Sequence, residues 1–211
     1  MSSVIVSLIG TLATIFCVWY KSYLDKTIGK KDKVACNLPV VGLLGTYGVL
    51  DSIRSISNNI FQETSADRFL LLVSEKQESA HTYISVVHEE HAYSDSNVRL
   101  SIGATSKYLK IETDQAYRKM LEELKEEKVL RYNVASMPYG MLREIYKSEM
   151  ITHSNIYYLY EFKYMMEGEE KECLLFASVA THKGIEFTQI EELKIKMGVD
   201  KIKNEILPKK S

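Results

Sequence analysis

Cysteine is scarce in this chain of 211 residues, which contains only Cys17, Cys36 and Cys173. Three scattered thiols cannot build a disulfide framework, and they lack the spacing of a zinc knuckle. A reducing compartment therefore suits the sequence best. We interpret the three cysteines as free thiols, with acylation of Cys36 near a membrane as the alternative.

An excess of positive charge is also absent, because the formal net charge is -1. Nucleic-acid binders usually carry a basic stripe that neutralises phosphates. Here lysines alternate with glutamates, as in "EELKEEK", which is typical of a solvated helix face. The composition therefore predicts no nucleic-acid partner.

Catalytic motifs are missing as well. The sequence has no G-x-S-x-G elbow, no G-x-x-x-x-G-K phosphate loop and no H-E-x-x-H zinc motif. His88 and His91, in "HEEH", would point to opposite faces of a strand and could share a metal ion only in a turn or helix. Cys173 and His182 are too far apart along one strand to form a nucleophile and base. We expect no catalytic residues and no metal site, and the sequence identifies no cofactor.

The first 20 residues contain the longest uncharged run. From Val4 to Tyr20 no residue is charged, which gives roughly 25 Å of helix, close to the ~30 Å hydrocarbon core of a bilayer. Trp19 and Tyr20 stand where an interfacial aromatic belt would lie. A cleaved signal peptide would need a basic region before the run and a small-residue site after it. We therefore predict a transmembrane anchor at residues 1–20, with a buried amphipathic helix or an uncleaved signal as alternatives.

Lysines follow the anchor and predict its orientation. Five of them lie in the polar linker of residues 21–37 against two aspartates, and the positive-inside rule then places the C-terminal part in the cytoplasm. The prediction is a single-pass membrane protein with its N-terminus outside and its C-terminal domain in the cytoplasm.

A helix is predicted after Pro39. Apolar residues from Val40 to Ile60 recur on one helix face. Gly42, Gly45 and Gly48 would weaken this helix unless they allow close packing against a partner.

Strands and helices then alternate irregularly over the rest of the chain. The patterns predict strands at 68–75, 81–89, 108–112 and 129–132, a hairpin within 155–181, and a loop at 90–106. Helices are predicted from Thr113 to Lys128, from Pro138 in a first turn, and from a Thr188/Glu191 capping box to Pro208. Along the hairpin, one face is expected to carry Tyr158, Tyr160, Phe162 and Tyr164.

This order predicts an α+β fold, with a central antiparallel sheet flanked by helices and preceded by one N-terminal transmembrane helix. The first and last amphipathic helices would cover one face of the sheet, and the mid-chain segments the other. The domain would occupy residues 38–208, followed by a tail at 209–211.

Residues 40–207 resemble a GAF domain. The resemblance rests on "SADRFLLLV" after the first helix and on "GIEFTQIEELK", in which Phe187 and Thr188 enter the closing helix. PAS-like sensors have their sheet and helices in a different order. The resemblance implies an antiparallel sheet of about six strands. It also implies a dimer through the first and last helices, and a small-molecule pocket between the sheet and the mid-chain helices.

GAF domains bind cyclic nucleotides, tetrapyrroles, amino acids or oxoacids, and some bind nothing. This chain has no mid-chain cysteine for a bilin and no cyclic-nucleotide signature. If a ligand binds, we expect polar contacts from "RYNVASMPYGMLR", namely from Tyr132, Asn133, Tyr139 and Arg143. A capped surface loop and helix is the alternative interpretation of that stretch.

The sequence favours a membrane-tethered, non-enzymatic sensory or interaction module that binds a small molecule or a protein and works as a homodimer. No kinase or cyclase sequence follows residue 208 here, so we expect output through the anchor, the oligomeric state or a separate protein partner. The alternatives are a ligand-gated membrane effector that clusters through its transmembrane helix, and an enzyme with a GAF fold.

Overall fold

The computed structural model describes residues 48–77, 80–92, 107–166 and 169–207. The predicted anchor, the linker and the C-terminal tail lie outside these ranges, as does most of the loop predicted at 90–106. Among the helices that are described, none is both long and apolar enough to cross a bilayer.

Ten helices and strands occupy the described residues. The helices are α1 (Val49–Glu63), α2 (Gln115–Glu127), α3 (Met141–Ser148) and α4 (Gln189–Ile206). The strands are β1 (Arg68–Gln77), β2 (Ala80–His91), β3 (Ile111–Glu112), β4 (Val129–Asn133), β5 (His153–Met166) and β6 (Glu169–Thr181).

The six strands form one sheet in the order β3-β2-β1-β6-β5-β4, and every neighbouring pair is antiparallel. The predicted hairpin is β5 and β6, which pair from His153 opposite Thr181 to Met166 opposite Glu169. The α+β class and the six-stranded antiparallel sheet implied by the GAF resemblance are confirmed.

Both faces of the sheet are covered. Leu70 and Leu72 of β1 pack in the cluster that contains the buried residues of α2 and α3. Leu71, which lies between them, points to the opposite face, because side chains alternate along a strand. That face is covered by α1 and α4, as predicted, and β1 therefore appears in the sequence as a continuous apolar run.

The two outer helices touch closely at Gly198 of α4. A Cβ atom at this position would lie 2.6 Å from Cδ1 of Ile60 in α1. Ile60 is buried, and so are Ile195, Val199 and Ile202 along the inner stripe of α4. The closing helix therefore packs on α1 and the sheet through one apolar stripe.

Helix caps agree with the sequence at α4 and differ slightly at α2. The Thr188/Glu191 capping box is present at the start of α4. Helix α2 begins at Gln115, and its N-cap is Asp114. Thr113, predicted to open this helix, instead donates its hydroxyl to the carbonyl of His81 in β2 at 2.6 Å.

Helix α1 is shorter than the apolar pattern predicts. Gly48 has φ 106°, which is outside the helical region, and α1 therefore starts at Val49. Among the described residues, no atom lies within 4 Å of a Cβ built on Gly48. Close packing at this glycine against a partner stays a prediction, while Gly42 and Gly45 lie outside the described residues.

The predicted aromatic face of β5 is divided by a β-bulge. Tyr158 lies opposite Phe176, but Tyr160 lies opposite Leu175, so Leu159 is an extra residue in the ladder. Phe176 and Leu175 point to opposite faces of the sheet, and the bulge therefore places Tyr158 and Tyr160 on different faces. From Tyr160 onward the alternation holds, and the ring centroids of Tyr160 and Phe162 are 5.6 Å apart.

Two further boundaries differ from the prediction. Strand β3 is only two residues long, because Lys110 has φ 52° and cannot continue a strand before Ile111. Pro138 precedes α3 rather than occupying its first turn, since the N-cap of α3 is Gly140.

Candidate ligand-binding site

An open cleft of about 370 Å³ lies between α2, β4 and the segment that leads into α3. Its volume is within the range of small-molecule sites. Its apolar wall is formed by Met120, Leu130, Met137 and Leu142. Its charged lining residues include Lys119, Glu123 and Arg143, whereas the guanidinium of Arg131 pairs with Glu192 of α4. The cleft therefore combines apolar surface with more positive than negative groups.

The structure brings two of the four predicted contact residues to this cleft. Tyr132 and Arg143 line it. Burial raises the pKa of the Tyr132 hydroxyl, which keeps this group protonated as a hydrogen-bond donor. Arg143 donates weakly to the carbonyl of Ala135 at 3.4 Å, while its buried Nε has no hydrogen-bond partner.

The other two predicted residues, Asn133 and Tyr139, have their side chains directed elsewhere. The side-chain oxygen of Asn133 accepts the N–H of Ala135 at 3.0 Å, which closes a local turn. Tyr139 is 79% exposed. Neither residue is part of the cleft wall.

A single carboxylate positions both helices that border the cleft. Oδ1 of Asp114 accepts the backbone N–H of Tyr117 at 2.7 Å and so caps α2. Its Oδ2 accepts the N–H of Met141, the first residue of α3, also at 2.7 Å. The two helix N-termini therefore share one negative charge.

A second, enclosed cavity of about 30 Å³ lies deeper, between the sheet and the helices. Tyr117 and Leu142 line both this inner cavity and the outer cleft. The inner volume is enough for water but not for an organic ligand.

The inner cavity is bordered by a buried ion pair. Arg68, the first residue of β1, and Glu149, which ends α3, are each 1% exposed at the side chain. Nη2 of Arg68 lies 2.5 Å from Oε2 of Glu149. Neither atom is aligned for a hydrogen bond, and Nε of Arg68 also has none. Charge attraction rather than a bidentate hydrogen-bond fork holds this pair.

Glu149 binds two further donors. Its Oε1 accepts from Nζ of Lys107 at 2.9 Å and from the hydroxyl of Tyr108. Burial, followed by the contact with Glu149, raises the pKa of Tyr108. Two cations and a phenol therefore converge on one carboxylate. Of the two cations, Arg68 is buried with Glu149, while Lys107 is 55% exposed.

A hydroxyl triangle forms another part of the wall. The hydroxyl of Tyr146 lies 2.9 Å from Oγ of Ser154 and 3.1 Å from Oγ of Ser178, and these two serine oxygens are 3.1 Å apart. Burial raises the pKa of Tyr146. The triangle therefore supplies neutral hydroxyl groups to the same cavity that Arg68 lines.

Metal and nucleophile chemistry find little support in the described ranges. Within them, no group of three or more His, Cys, Asp and Glu side chains could hold a metal ion. His88 and His91 lie opposite Leu71 and Arg68, two positions on different faces of the sheet. Burial raises the pKa of the Cys173 thiol to about 12, so this thiol stays protonated.

Sequence reasoning missed the inner cavity. Arg68 had one visible signal, a charge at the start of the apolar run "RFLLLV". Nothing local marks Glu149 as its partner, because the two residues belong to distant parts of the chain. Their meeting depends on how α3 packs over the sheet.

No family model matches this sequence, and no curated protein matches it. Similar solved structures include the GAF domain/HD domain protein from Geobacter sulfurreducens, with a TM-score of 0.48 and 9% identity over 78% of this chain and 93% of that chain. The phycoerythrobilin-bound GAF domain from a cyanobacterial phytochrome has a TM-score of 0.47 and 13% identity over 83% and 94%. The GAF domain of a two-component sensor histidine kinase from Bacillus halodurans has a TM-score of 0.44 and 10% identity over 72% and 91%. At these identities the likeness concerns the fold alone.

Proposed function

We propose that this protein is a membrane-tethered, non-enzymatic sensory module that binds a small molecule at the cleft between α2, β4 and α3. The observation that carries the proposal is the open cleft of about 370 Å³, which is lined by Arg143, a residue whose buried Nε makes no hydrogen bond within the described residues. Buried polar groups are normally hydrogen-bonded, and exceptions cluster at functional sites.

The lining of the cleft favours a small organic ligand over a protein surface as the binding partner. Apolar side chains form one wall, and Tyr132 and Arg143 offer donors from two different elements. This combination of apolar lining with a few convergent polar groups is typical of ligand pockets. A ligand there would touch α2 and α3 together.

The decisive experiment is to identify what the full-length protein carries. The chain would be purified in mild detergent and analysed by mass spectrometry for co-purifying small molecules, and thermal unfolding would be followed against a metabolite library. We expect at least one compound to raise the melting temperature in a concentration-dependent way. The proposal fails if no compound co-purifies and none stabilises the protein.

A matched pair of variants locates the binding. Glu123 lines the cleft, whereas Glu126 is exposed on the same helix outside it. Glu123→Trp should fill the cleft and abolish stabilisation by the ligand. Glu126→Trp makes the same chemical change elsewhere on α2 and should leave ligand binding unchanged. Equal loss in both variants would argue against the cleft.

The membrane tether is supported by the uncharged run of residues 1–20 and the lysines that follow it. We expect the full-length protein to stay with membranes after alkaline extraction, and its C-terminal domain to be protected from protease added outside the cell. A version lacking residues 1–20 should become soluble. Recovery of the intact chain in solution without detergent would contradict the tether.

A homodimer through the outer helices is supported by an exposed stripe on α4. Ile190, Leu193 and Met197 are 71%, 59% and 54% exposed and recur at helical spacing. Exposed apolar stripes of this kind mark interaction surfaces. A groove of about 310 Å³ between α1 and α4 adjoins the stripe at Met197. A second copy of the chain would cover both the stripe and the groove. Ligand binding would then change the packing of α1 and α4 across the dimer.

A further inference from the structure

We propose that the outer edge of β5 at residues 160–164 is an interface, and that it pairs antiparallel with the same segment of a second copy of this chain. The pairing would join two six-stranded sheets into one continuous sheet. It goes beyond the proposed function, because it requires no ligand. It is also separate from the helix dimer, because it uses a strand edge rather than α1 and α4.

One side of β5 has no neighbouring strand over its second half. Strand β4 pairs with β5 only as far as Tyr157. The next residue, Tyr158, donates its N–H to the carbonyl of Lys128 at 3.0 Å. From Tyr160 to Met166, no described strand pairs with this side of β5, while β6 pairs with its other side throughout. A long unpaired strand edge is a template for pairing with another chain.

The chemistry of this segment is the same in both directions, which points to a second copy as the partner. The sequence "YEFKY" has Phe162 at its centre, a tyrosine at each end, and opposite charges at Glu161 and Lys163. When two copies pair antiparallel about Phe162, each Glu161 lies opposite a Lys163, and each Tyr160 opposite a Tyr164. Opposite charges and aromatic pairs in opposed positions both stabilise antiparallel strands.

The same charges specify the register. Two copies related by a twofold axis keep equivalent side chains on the same face of the joined sheet. The nearest alternative registers that meet this condition place Glu161 opposite Glu161, or Lys163 opposite Lys163. Like charges in directly opposed positions destabilise a strand pair. The register centred on Phe162 is therefore favoured over its neighbours.

The aromatic side chains already form a ridge within one copy. The ring centroids of Tyr160 and Phe162 are 5.6 Å apart, and those of Phe162 and Tyr164 are 6.2 Å apart. Phe162 is only half-buried. A second ridge beside the first would remove more of this apolar surface from water.

The two charged side chains remain available at the surface. Glu161 contacts Lys125 at 2.7 Å and is 33% exposed, and Lys163 contacts Glu170 at 2.7 Å and is 60% exposed. Ion pairs on the surface contribute little within one chain. Glu161 and Lys163 can therefore share or exchange these contacts for the opposed charges of a second copy.

The length of the edge limits the strength of the pairing. The bulge at Leu159 interrupts the regular strand just before Tyr160, and β5 ends at Met166. Small interfaces of this kind form weak, transient complexes. We therefore expect the pairing at high local concentration, as among copies crowded on a membrane, and not as a stable dimer in dilute solution.

Disulfide trapping tests the register. Phe162→Cys would be made in the full-length protein together with Leu193→Glu, which removes the proposed helix dimer, and with Cys17→Ser and Cys36→Ser. Residue 162 of one copy would face residue 162 of the other, whereas the two residues 165 would lie far apart. With a mild oxidant at raised protein concentration, we expect at least about fivefold more cross-linked dimer from Phe162→Cys than from Met165→Cys. Equal amounts from both variants, or none from Phe162→Cys, would overturn this pairing.

The same cross-link in intact cells tests the identity of the partner. Phe162→Cys should again give a dimer of this chain after oxidation. A cross-link to a different protein alone would assign the edge to another partner and overturn the self-pairing.

Charge reversal tests the pairing without changing the aromatic ridge. In the Leu193→Glu background, Glu161→Lys and Lys163→Glu each place like charges opposite each other in a homodimer. Each variant alone should associate at least about tenfold more weakly than its parent in sedimentation at high concentration in mild detergent.

A mixture of the two reversed variants is the decisive sample. It restores an opposite charge at both positions, so it should associate as the parent does, and so should the double variant Glu161→Lys with Lys163→Glu. Because folding defects in the single variants would persist on mixing, recovery reports the contact itself. A mixture that stays monomeric, or a parent that is monomeric at every concentration, would overturn the interface.

Discussion

Oδ2 of Asp114, in the N-cap of α2, accepts the backbone N–H of Met141, the first residue of α3, at 2.7 Å. Because Oδ1 of the same carboxylate caps α2 through Tyr117, one side chain fixes the relative position of two helices. These helices border the proposed ligand site. The geometry of the cleft therefore depends on a residue that does not itself need to touch a ligand.

Asp114→Ala should remove both caps. We expect a loss of about 1–3 kcal/mol in the free energy of unfolding, since one lost cap costs typically about 1 kcal/mol. Asp114→Asn retains one acceptor oxygen and should fall between the wild type and Asp114→Ala. Urea unfolding of the three proteins checks this order, and an Asn variant as unstable as the Ala variant would contradict a role for the remaining oxygen.

Gly140→Ala should disturb the same junction. A Cβ at position 140 would lie 2.9 Å from Cβ of Ala116 and 3.3 Å from Oδ2 of Asp114. Such overpacking costs typically about 1–3 kcal/mol. The double variant Gly140→Ala with Ala116→Gly removes the clash between the two methyl groups. The double variant should lose less free energy of unfolding than the sum of the losses in the two single variants, as measured in a double-mutant cycle. Simple additivity would show that the contact is not the cause.

Glu191 should make stability depend on acid pH. Hydrogen bonds from Thr188, followed by Ser65, lower the pKa of its carboxyl group to about 2 from 4.5. The folded protein therefore keeps Glu191 ionised where the unfolded chain takes up a proton. The resulting stabilisation is complete above about pH 4.5 and is lost as the pH falls towards 2.

Comparison of the wild type with Glu191→Gln by urea unfolding at pH 7, 4 and 3 tests this dependence. The wild type should be more stable at pH 7 by about 1 kcal/mol, and the gap should narrow as the pH falls. Glu192→Gln is the control, because its partner Arg131 is on the surface and such pairs contribute little. A gap that does not change with pH would exclude the charge of Glu191 as its origin.

Leu159→Ala should be among the more damaging changes on β5. Leu159 is fully buried at the bulge, and truncation of a buried leucine costs typically about 2–5 kcal/mol. Met165→Ala on the same strand is the control, because Met165 is 67% exposed and should change stability by less than about 0.5 kcal/mol. Comparable effects of both changes would show that the bulge does not anchor the strand.

Leu193→Glu should separate the proposed dimer. The charge would lie in the middle of the exposed stripe on α4, so we expect the mass of the full-length protein in light scattering to fall to that of a monomer, with its melting temperature little changed. Lys196→Glu on the flank of the same helix should not change the mass. A protein that is monomeric before mutation would contradict the dimer.

Local patterns in the sequence determined most of the helices and strands. Four apolar residues at helical spacing, Tyr117, Met120, Leu121 and Leu124, mark α2 in the sequence, and all four are buried. The Thr188/Glu191 spacing predicted the start of α4, and the alternating tyrosines predicted a hairpin strand. These signals succeed because helix periodicity, capping and strand alternation involve residues that are close along the chain.

The candidate site could be predicted only in part for the same reason. The stretch containing Tyr132 and Arg143 drew attention through its polar and aromatic residues, and both line the cleft. Whether Asn133 and Tyr139 contact a ligand stays a prediction. Their side chains lie away from the cleft because a local turn and the path into α3 direct them elsewhere.

Only the tertiary structure determined which face of the sheet each tyrosine of β5 occupies and which buried charged residues form a pair. The bulge at Leu159 placed Tyr160 on the face opposite Tyr158, and this depends on the register between β5 and β6. Arg68 and Glu149 became partners only when α3 packed against the sheet. The sequence by itself determined which segments are helical or extended, since those preferences are local. The three-dimensional packing determined which distant charges, such as Arg68 and Glu149, share a low-dielectric interior, where their interaction is stronger than in water.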